Sequence, residues 1–464
     1  MRKYCSLILI IVTVLFLSCP TDGAEPMPAE VLVPADFAGM CHTGSSNNLA
    51  REYEMINEMG IVWVHWDFSW SSIQPENEHQ WNFDGSIGNR ANFDARVLRA
   101  NQEGKKIIGM LLYSVDWVHE KYGLTPQRRI RENQIPYFVN YAVETVKRYN
   151  GKNGHGYVDA WFIWNEPDHP RFWDGTQDEF FELTKATASA IRELDAQQGT
   201  TTTLVGGVFS PLVANDWNWI TGLFESGAMD QVDGIAYHPY NPSAESSLAN
   251  YYNFVQRVKP YNFHDKIWVN EMGYPTYSER GSLPYLIQNG RYGLDQYEGD
   301  MPEVVTKTFV LLAAAGARNL TWYHLFDGPG RAVGNNIYNS EAWFGLVWRE
   351  NDDNWHKKGG YWGFALAANN IPGKTYKQRD FFTGSVPNEI QSYYFEGSDG
   401  KHTLVVWNSH PLRDTDVTIA LNGSNHKLWD VETGESESVA GTSTHTLYRA
   451  NNYQKTLVFF TWDG

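Results

Sequence analysis

Residues 161–169 read WFIWNEPDH. Four large apolar residues, Trp161–Trp164, make a strand-like run that stops at Asn165. Then come a carboxylate, Glu166, and Pro167, which blocks further pairing and turns the chain. The acid therefore sits where a strand leaves the core. Outward from this stretch, short and nearly continuous apolar runs recur: Phe37–Met40, Gly60–Phe68, Lys105–Tyr113, Ala160–Trp164, Thr202–Phe209, Asp233–Tyr240, Lys266–Tyr274 and Asn319–Asp327. Parallel strands buried on both faces look like this. Helix-period segments lie between them: Leu49–Met59, Phe93–Gln102, Pro136–Tyr149, Glu179–Leu194, Leu248–Val258 and Pro302–Ala315. Strand, helix, strand, eight times over, predicts an α/β fold, a (β/α)8 TIM barrel, across residues 35–372. A doubly wound open sheet is the rival, but it carries a Gly-rich phosphate turn, and no GxGxxG follows the first run.

Beyond residue 372 the texture changes. SYYFEG, HTLVVWNS, DVTIAL, HKLWDV and TLVFFTW are short runs, several alternating, separated by Gly, Asn, Asp and Ser. They predict a smaller antiparallel β-sandwich over 373–464. It is read as a buttress for the barrel rather than a sugar-binding module, because its aromatic residues are needed for its own core.

At 464 residues the chain exceeds one ordinary domain, in keeping with this division. Its net charge of −17, with no basic block, argues against nucleic acid as a partner. The 19 Trp suit both a core and surfaces that stack on sugar rings. Arg2 and Lys3 precede an apolar run, Leu7–Leu17, too short to span a bilayer comfortably. It reads as a secretory signal over 1–24, cut after Ala24, with 25–34 as a spacer; lipidation at Cys19 is the alternative end. The expected location is secreted or periplasmic. Cys41 reads as a packed small hydrophobe. No CxxC, HExxH or EF-hand pattern occurs, so neither a metal nor another cofactor is expected.

In such a barrel the chemistry sits at the C-terminal ends of the strands. Glu166 ends the fourth run and Glu271, in WVNEMGYPT, ends the seventh; each follows an Asn, Asn165 and Asn270. Strands three apart around a ring can aim two carboxylates into one mouth. A pair about 5–5.5 Å apart serves retaining glycoside hydrolysis, and about 6.5–9.5 Å serves inversion.

NEP after the fourth run and a glutamate after the seventh resemble glycoside hydrolase clan A, the retaining barrel enzymes. Trp70–Asp84 (WSSIQPENEHQWNFD), the following FDARVLRANQEGKKIIG, and AYHPY after the sixth run are also similar to that clan. The features look nearest family thirty-nine, which includes β-xylosidases and α-L-iduronidases, and to some extent family five. The resemblance covers roughly residues 37–370; NEMGYPT departs from any one family's pattern and leaves the substrate open. It implies Glu166 as acid/base and Glu271 as nucleophile. Physically, one of two neighbouring carboxyls must stay protonated while the other ionises. Asn165 is expected at the sugar 2-hydroxyl. Substrate contacts are also expected from His238 and Tyr240, either of which would hold Glu271; from Trp322 as a stacking floor; and from Trp70, Trp66, His65 and Asp67 near the second strand's end. Asp168 reads as a loop brace. Arg128, Arg129 and Arg131 read mainly as a solvated helix face; with Arg280, Arg291 and Arg331 they would suit an acidic glycan. The segment Thr276–Met301, with Tyr277, Tyr285, Tyr292 and Tyr297, would wall a subsite.

The expectation is a secreted retaining β-glycosidase acting on a polysaccharide or oligosaccharide. The alternatives are a barrel that binds carbohydrate without cleaving it, and a transglycosidase using the same two glutamates. The partner is carbohydrate; no membrane-spanning segment is expected, and the oligomeric state is open.

Overall fold

The computed structural model describes residues 27–41, 43–44, 48–88, 90–241, 243–277, 296–297, 301–327, 343–349, 354–449 and 456–464. Eight parallel strands close into a barrel. They are β1 (Ala38–Cys41), β2 (Trp63–Asp67), β3 (Lys106–Leu111), β4 (Ala160–Ile163), β5 (Thr203–Phe209), β6 (Gly234–Tyr237), β7 (Ile267–Met272) and β8 (Leu320–Trp322). β8 pairs with β1 through Leu320–Ala38, Thr321–Gly39 and Trp322–Met40, which completes the ring. Helices α1 (Leu49–Glu58), α2 (Phe93–Gln102), α3 (Ile135–Arg148), α4 (Gln177–Gln198), α5 (Asn218–Glu225), α6 (Ala244–Val258) and α7 (Met301–Ala314) connect successive strands. α8 (Gly359–Asn370) follows β8.

Alternation within the strands builds two cores. Trp63, Ile108, Met110, Ala160, Phe162, Val205, Ala236 and Trp268 point inward and fill the barrel. Trp63 and Trp268 meet edge to face at 5.3 Å. The opposite residues, such as Val64, Ile107 and Trp161, face the helices. Gly109 has no side chain because a Cβ there would stand 2.5 Å from the Trp161 ring. α4 starts with a Thr176–Glu179 capping box and ends at left-handed Gly199. At the barrel's lower end Asp36 accepts from both Arg318 (2.8 Å) and Lys106 (2.7 Å), joining the entries to β1, β8 and β3.

The C-terminal part is a seven-stranded antiparallel sheet faced by a two-stranded one, Thr415–Ala420 with Thr442–Leu447. Leu404, Val406, Val417, Ile419, Leu447 and Phe460 pack between them. The other face of the large sheet, with Phe395, Val405, Trp407 and Phe459, joins the barrel's core. The stretch read as a spacer contributes a strand: Glu30–Leu32 pairs with Thr375–Lys377 at the edge of this sheet. Residues 1–26, with the expected signal and Cys19, lie outside the described residues. Among the described residues no helix is long and apolar enough to cross a membrane.

Candidate active site

Strand alternation alone does not bring both glutamates into the mouth. On β7, Trp268 fills the barrel and Asn270 reaches His238, so Glu271 between Asn270 and Met272 belongs to the opposite face. The pairing with β8 supplies the reason it does not stay there. Leu320 faces Val269 but Trp322 faces Met272, three steps on β7 against two on β8. This bulge turns Glu271 into the cavity, a common use of bulges at barrel rims. β4 solves the same problem with the backbone. Trp164 (φ 65°) and Glu166 (φ 42°) both take left-handed conformations on either side of Asn165. Neither is Gly, so the turn stores strain that the surroundings must hold.

The result is a cavity of about 470 Å3 at the C-terminal ends of the strands, lined among others by Asp67, Tyr113, Asn165, Glu166, Tyr240, Glu271 and Tyr323. One ligand atom each of Glu166, His238 and Glu271 lies within 4.8 Å of the others. Tyr240 donates its hydroxyl to Glu271 Oε1 at 2.8 Å. His238 Nδ1 lies 2.8 Å from Glu166 Oε1 and its Nε2 lies 3.2 Å from Asn270 Oδ1. Of the pair expected at Glu271, Tyr240 makes the bond, whereas His238 hydrogen-bonds Glu166 and stands 3.9 Å from Glu271.

Burial pushes the Glu271 carboxyl up to about 7 and the charge of Glu166 adds to it, while His238 and Tyr240 pull it down. His238 is fully buried, which disfavours its charge, but Glu271 and Glu166 outweigh this and raise its pKa. Asp168 is raised to about 7 by burial and by Glu166, against two hydrogen bonds from the Ser210 backbone and hydroxyl. Those bonds make it a tie between the loops after β4 and β5. The trio around Glu271 has donor types that suit a cation, but the His238 nitrogens already face Glu166 and Asn270 Oδ1.

A scan for known families matches residues 130–268 to the model of glycosyl hydrolases family 39. Its nearest family is glycoside hydrolase family 39, within clan A. The coarse activity follows: a glycosidase. No curated protein matches the sequence. Among solved structures, a family 39 glycoside hydrolase from the gut symbiont Bacteroides cellulosilyticus WH2 superposes with TM-score 0.67 at 16% identity, covering 93% of this chain and 81% of that one. An endo-β1,6-glucanase gives 0.59 at 16%, covering 94% and 93%. A family 51 α-L-arabinofuranosidase from Bifidobacterium longum gives 0.58 at 12%, covering 95% and 98%. At these identities the likeness speaks for the fold.

Several expected sugar contacts do not reach the cavity. Trp322 is fully buried, its ring against Tyr274 (5.9 Å) and Phe364 (6.1 Å). It faces α8, so it forms no stacking floor; the next residue, Tyr323, lines the cavity instead. Trp66 also faces outward and donates to the Thr43 carbonyl at 2.7 Å. Trp70 is core, stacked on Tyr141 at 5.6 Å. His65 points inward but lies below the cavity, 2.9 Å from Cys41 Sγ. Asp67 and Asn165 do line it. Arg128, Arg129 and Arg131 precede a short 3-10 turn rather than lying on a long helix. Arg129 pairs with Glu179, and Arg131 with Gln127 at 2.9 Å. Arg280, Arg291, Arg331, Tyr285 and Tyr292 lie outside the described residues, as do the side chains of Tyr277 and Tyr297. Tyr113, Arg171, Phe172, Leu212 and Phe344 were missed as lining residues. Tyr113 had a signal, since it closes the third apolar run as Glu166 closes the fourth.

Proposed function

We propose that this protein is a secreted retaining β-glycosidase in which Glu271 is the nucleophile and Glu166 the acid/base. The observation that carries the reading is the carboxylate pair itself. An oxygen of each lies within 4.8 Å of the other, both carboxylates line one cavity, and each has a different partner. That closeness favours the retaining separation of about 5–5.5 Å over the wider inverting one.

The partners support the division of labour. Glu271 accepts a hydrogen bond from the Tyr240 hydroxyl, which stabilises its anion. The Asn270 oxygen accepts a hydrogen bond from His238 Nε2–H, leaving Nδ1 to share a second proton with Glu166. Glu166 is thereby the carboxyl nearest a proton store. In the first step Glu271 attacks the anomeric carbon, the glycosidic C–O bond breaks, and Glu166 gives its proton to the departing oxygen. In the second, Glu166 takes a proton from water as that water displaces Glu271. Two inversions leave the configuration retained. Asn165, on the cavity wall beside Glu166, is assigned to the sugar 2-hydroxyl.

Two variants test the roles separately. Glu166→Gln should slow substrates with sugar leaving groups by about 100-fold or more, while activated aryl glycosides lose little in the first step. Glu271→Ala should be inactive and regain turnover in azide, giving the glycosyl azide of inverted configuration. Equal losses on both substrate kinds in Glu166→Gln, or normal turnover by Glu271→Ala, would contradict the assignment.

A further inference from the structure

A second hollow of about 650 Å3 adjoins the catalytic cavity. Both are lined by Tyr113, Arg171 and Phe172, so these three residues form the partition between them. The rings of Tyr113 and Phe172 stack at 6.3 Å with 21° between planes, and Tyr113 also meets Trp164 edge to face at 6.1 Å. Tyr113 takes a left-handed backbone, φ 64°, to present this ring. Beyond the partition the walls are polar: Ser114, Asp116, Gln127, Arg128 and Asp174.

Hydrogen bonds fix the shape of the hollow. The Asp174 N–H donates to the Arg128 carbonyl and the Arg128 N–H returns a bond to the Asp174 carboxylate, each at 3.2 Å. The Ser114 hydroxyl donates to the Gln127 carbonyl at 2.8 Å. The loops after β3 and β4 are thus tied into one wall. The volume falls within the range of about 300–1,000 Å3 used for small-molecule sites. An aromatic partition with charged and amide groups beside it is the chemistry of a pyranose, apolar on its C–H face and hydroxylated at its rim. The charges balance: Asp116 and Asp174 oppose Arg128 and Arg171. A uronate or sulfate would meet two carboxylates there, whereas a neutral sugar would find donors and acceptors of both kinds.

We propose that this hollow binds a neutral sugar adjoining the one that is cleaved, so that the substrate is an oligosaccharide or polysaccharide rather than a single-sugar glycoside. The inference rests on the glycosidase reading and narrows its substrate. Binding energy from a remote sugar can be realised at the reacting centre, so kcat/KM should rise with chain length.

The test compares the wild-type protein with Asp116→Ala and Arg128→Ala, two exposed positions that line the second hollow and not the catalytic cavity. Substrates are an aryl glycoside of one sugar and a neutral oligosaccharide series of the same sugar, from two to six units. Wild type should gain about tenfold or more in kcat/KM along the series. Both variants should lose most of that gain while the aryl glycoside changes less than about twofold. The proposal is overturned if wild type shows no gain, if both variants keep it, or if both substrates suffer equally. Binding of the same series to Glu166→Gln, followed by calorimetry, separates the two levels of the argument. Chain-length-dependent binding that Arg128→Ala weakens would uphold the hollow even where hydrolysis fails.

Discussion

Tyr240 and Glu271 make the contact on which the pH behaviour turns. As the proposed nucleophile Glu271 must be ionised, so with its carboxyl raised to about 7 activity should fall as pH drops through that value. Tyr240 holds it from rising further, and a hydrogen bond to a charged group contributes about 1.5–3 kcal/mol. Tyr240→Phe should therefore move the acidic limb of kcat/KM up by about one pH unit, with little change in melting temperature; an unmoved limb would contradict this. The shift also acts on stability. Folding favours the protonated form of Glu271, a contribution present below 4.5 and lost as pH rises through about 7. Glu271→Gln should thus be more stable than wild type at pH 8, by about 1–3 kcal/mol, and the gap should close toward pH 4. Thermal unfolding across pH checks the sign. At this scale the two acids were legible because each ends an apolar run. The aromatic contacts were not: Trp322 and Tyr323 are neighbours, and only the strand's facing decides that Tyr323 reaches the cavity and Trp322 the helices.

Among elements, the barrel could be read because both faces of each strand are buried, which leaves runs such as KIIGML on β3 almost wholly apolar. The register could not. The bulge that turns Glu271 inward is a mismatch between β7 and β8, and no residue on β7 announces it. The strand Glu30–Leu32 was hidden likewise, since its partner Thr375–Lys377 lies far along the chain. The lower end of the barrel gives a direct test of closure. Burial raises the Asp36 carboxyl, but Arg318 and Lys106 overcome this and hold it down to about 2, below its ordinary 3.8. That contribution is present above 3.8 and lost as pH falls through about 2. Asp36→Asn should cost about 2 kcal/mol at pH 7, and the difference from wild type should shrink in acid denaturation below pH 3. A constant difference at all pH values would exclude the ionic clasp.

For the whole molecule, the question is what the C-terminal sandwich contributes. Trp407 is fully buried on the sheet face that joins the barrel core. Lys307 of α7 lies over its ring at 5.8 Å and donates to Thr456 at 2.9 Å; Glu303 accepts from the Thr456 N–H at 2.6 Å. These contacts favour the buttress. Trp407→Ala should cost about 3–5 kcal/mol and leave the affinity for polysaccharide unchanged at temperatures where it stays folded. A loss of sugar binding without a loss of stability would reassign the sandwich as a binding module. The central claim, however, lies in the cavity and has a direct measurement. A 2-deoxy-2-fluoro glycoside of a sugar that an aryl-glycoside panel shows to be cleaved is incubated with the protein, and the product is read by intact mass and peptide mapping. One glycosyl adduct on the peptide carrying Glu271 is the predicted result. Turnover of the parent glycoside without any adduct and with an inverted first product, or an adduct on a different residue, would contradict the account.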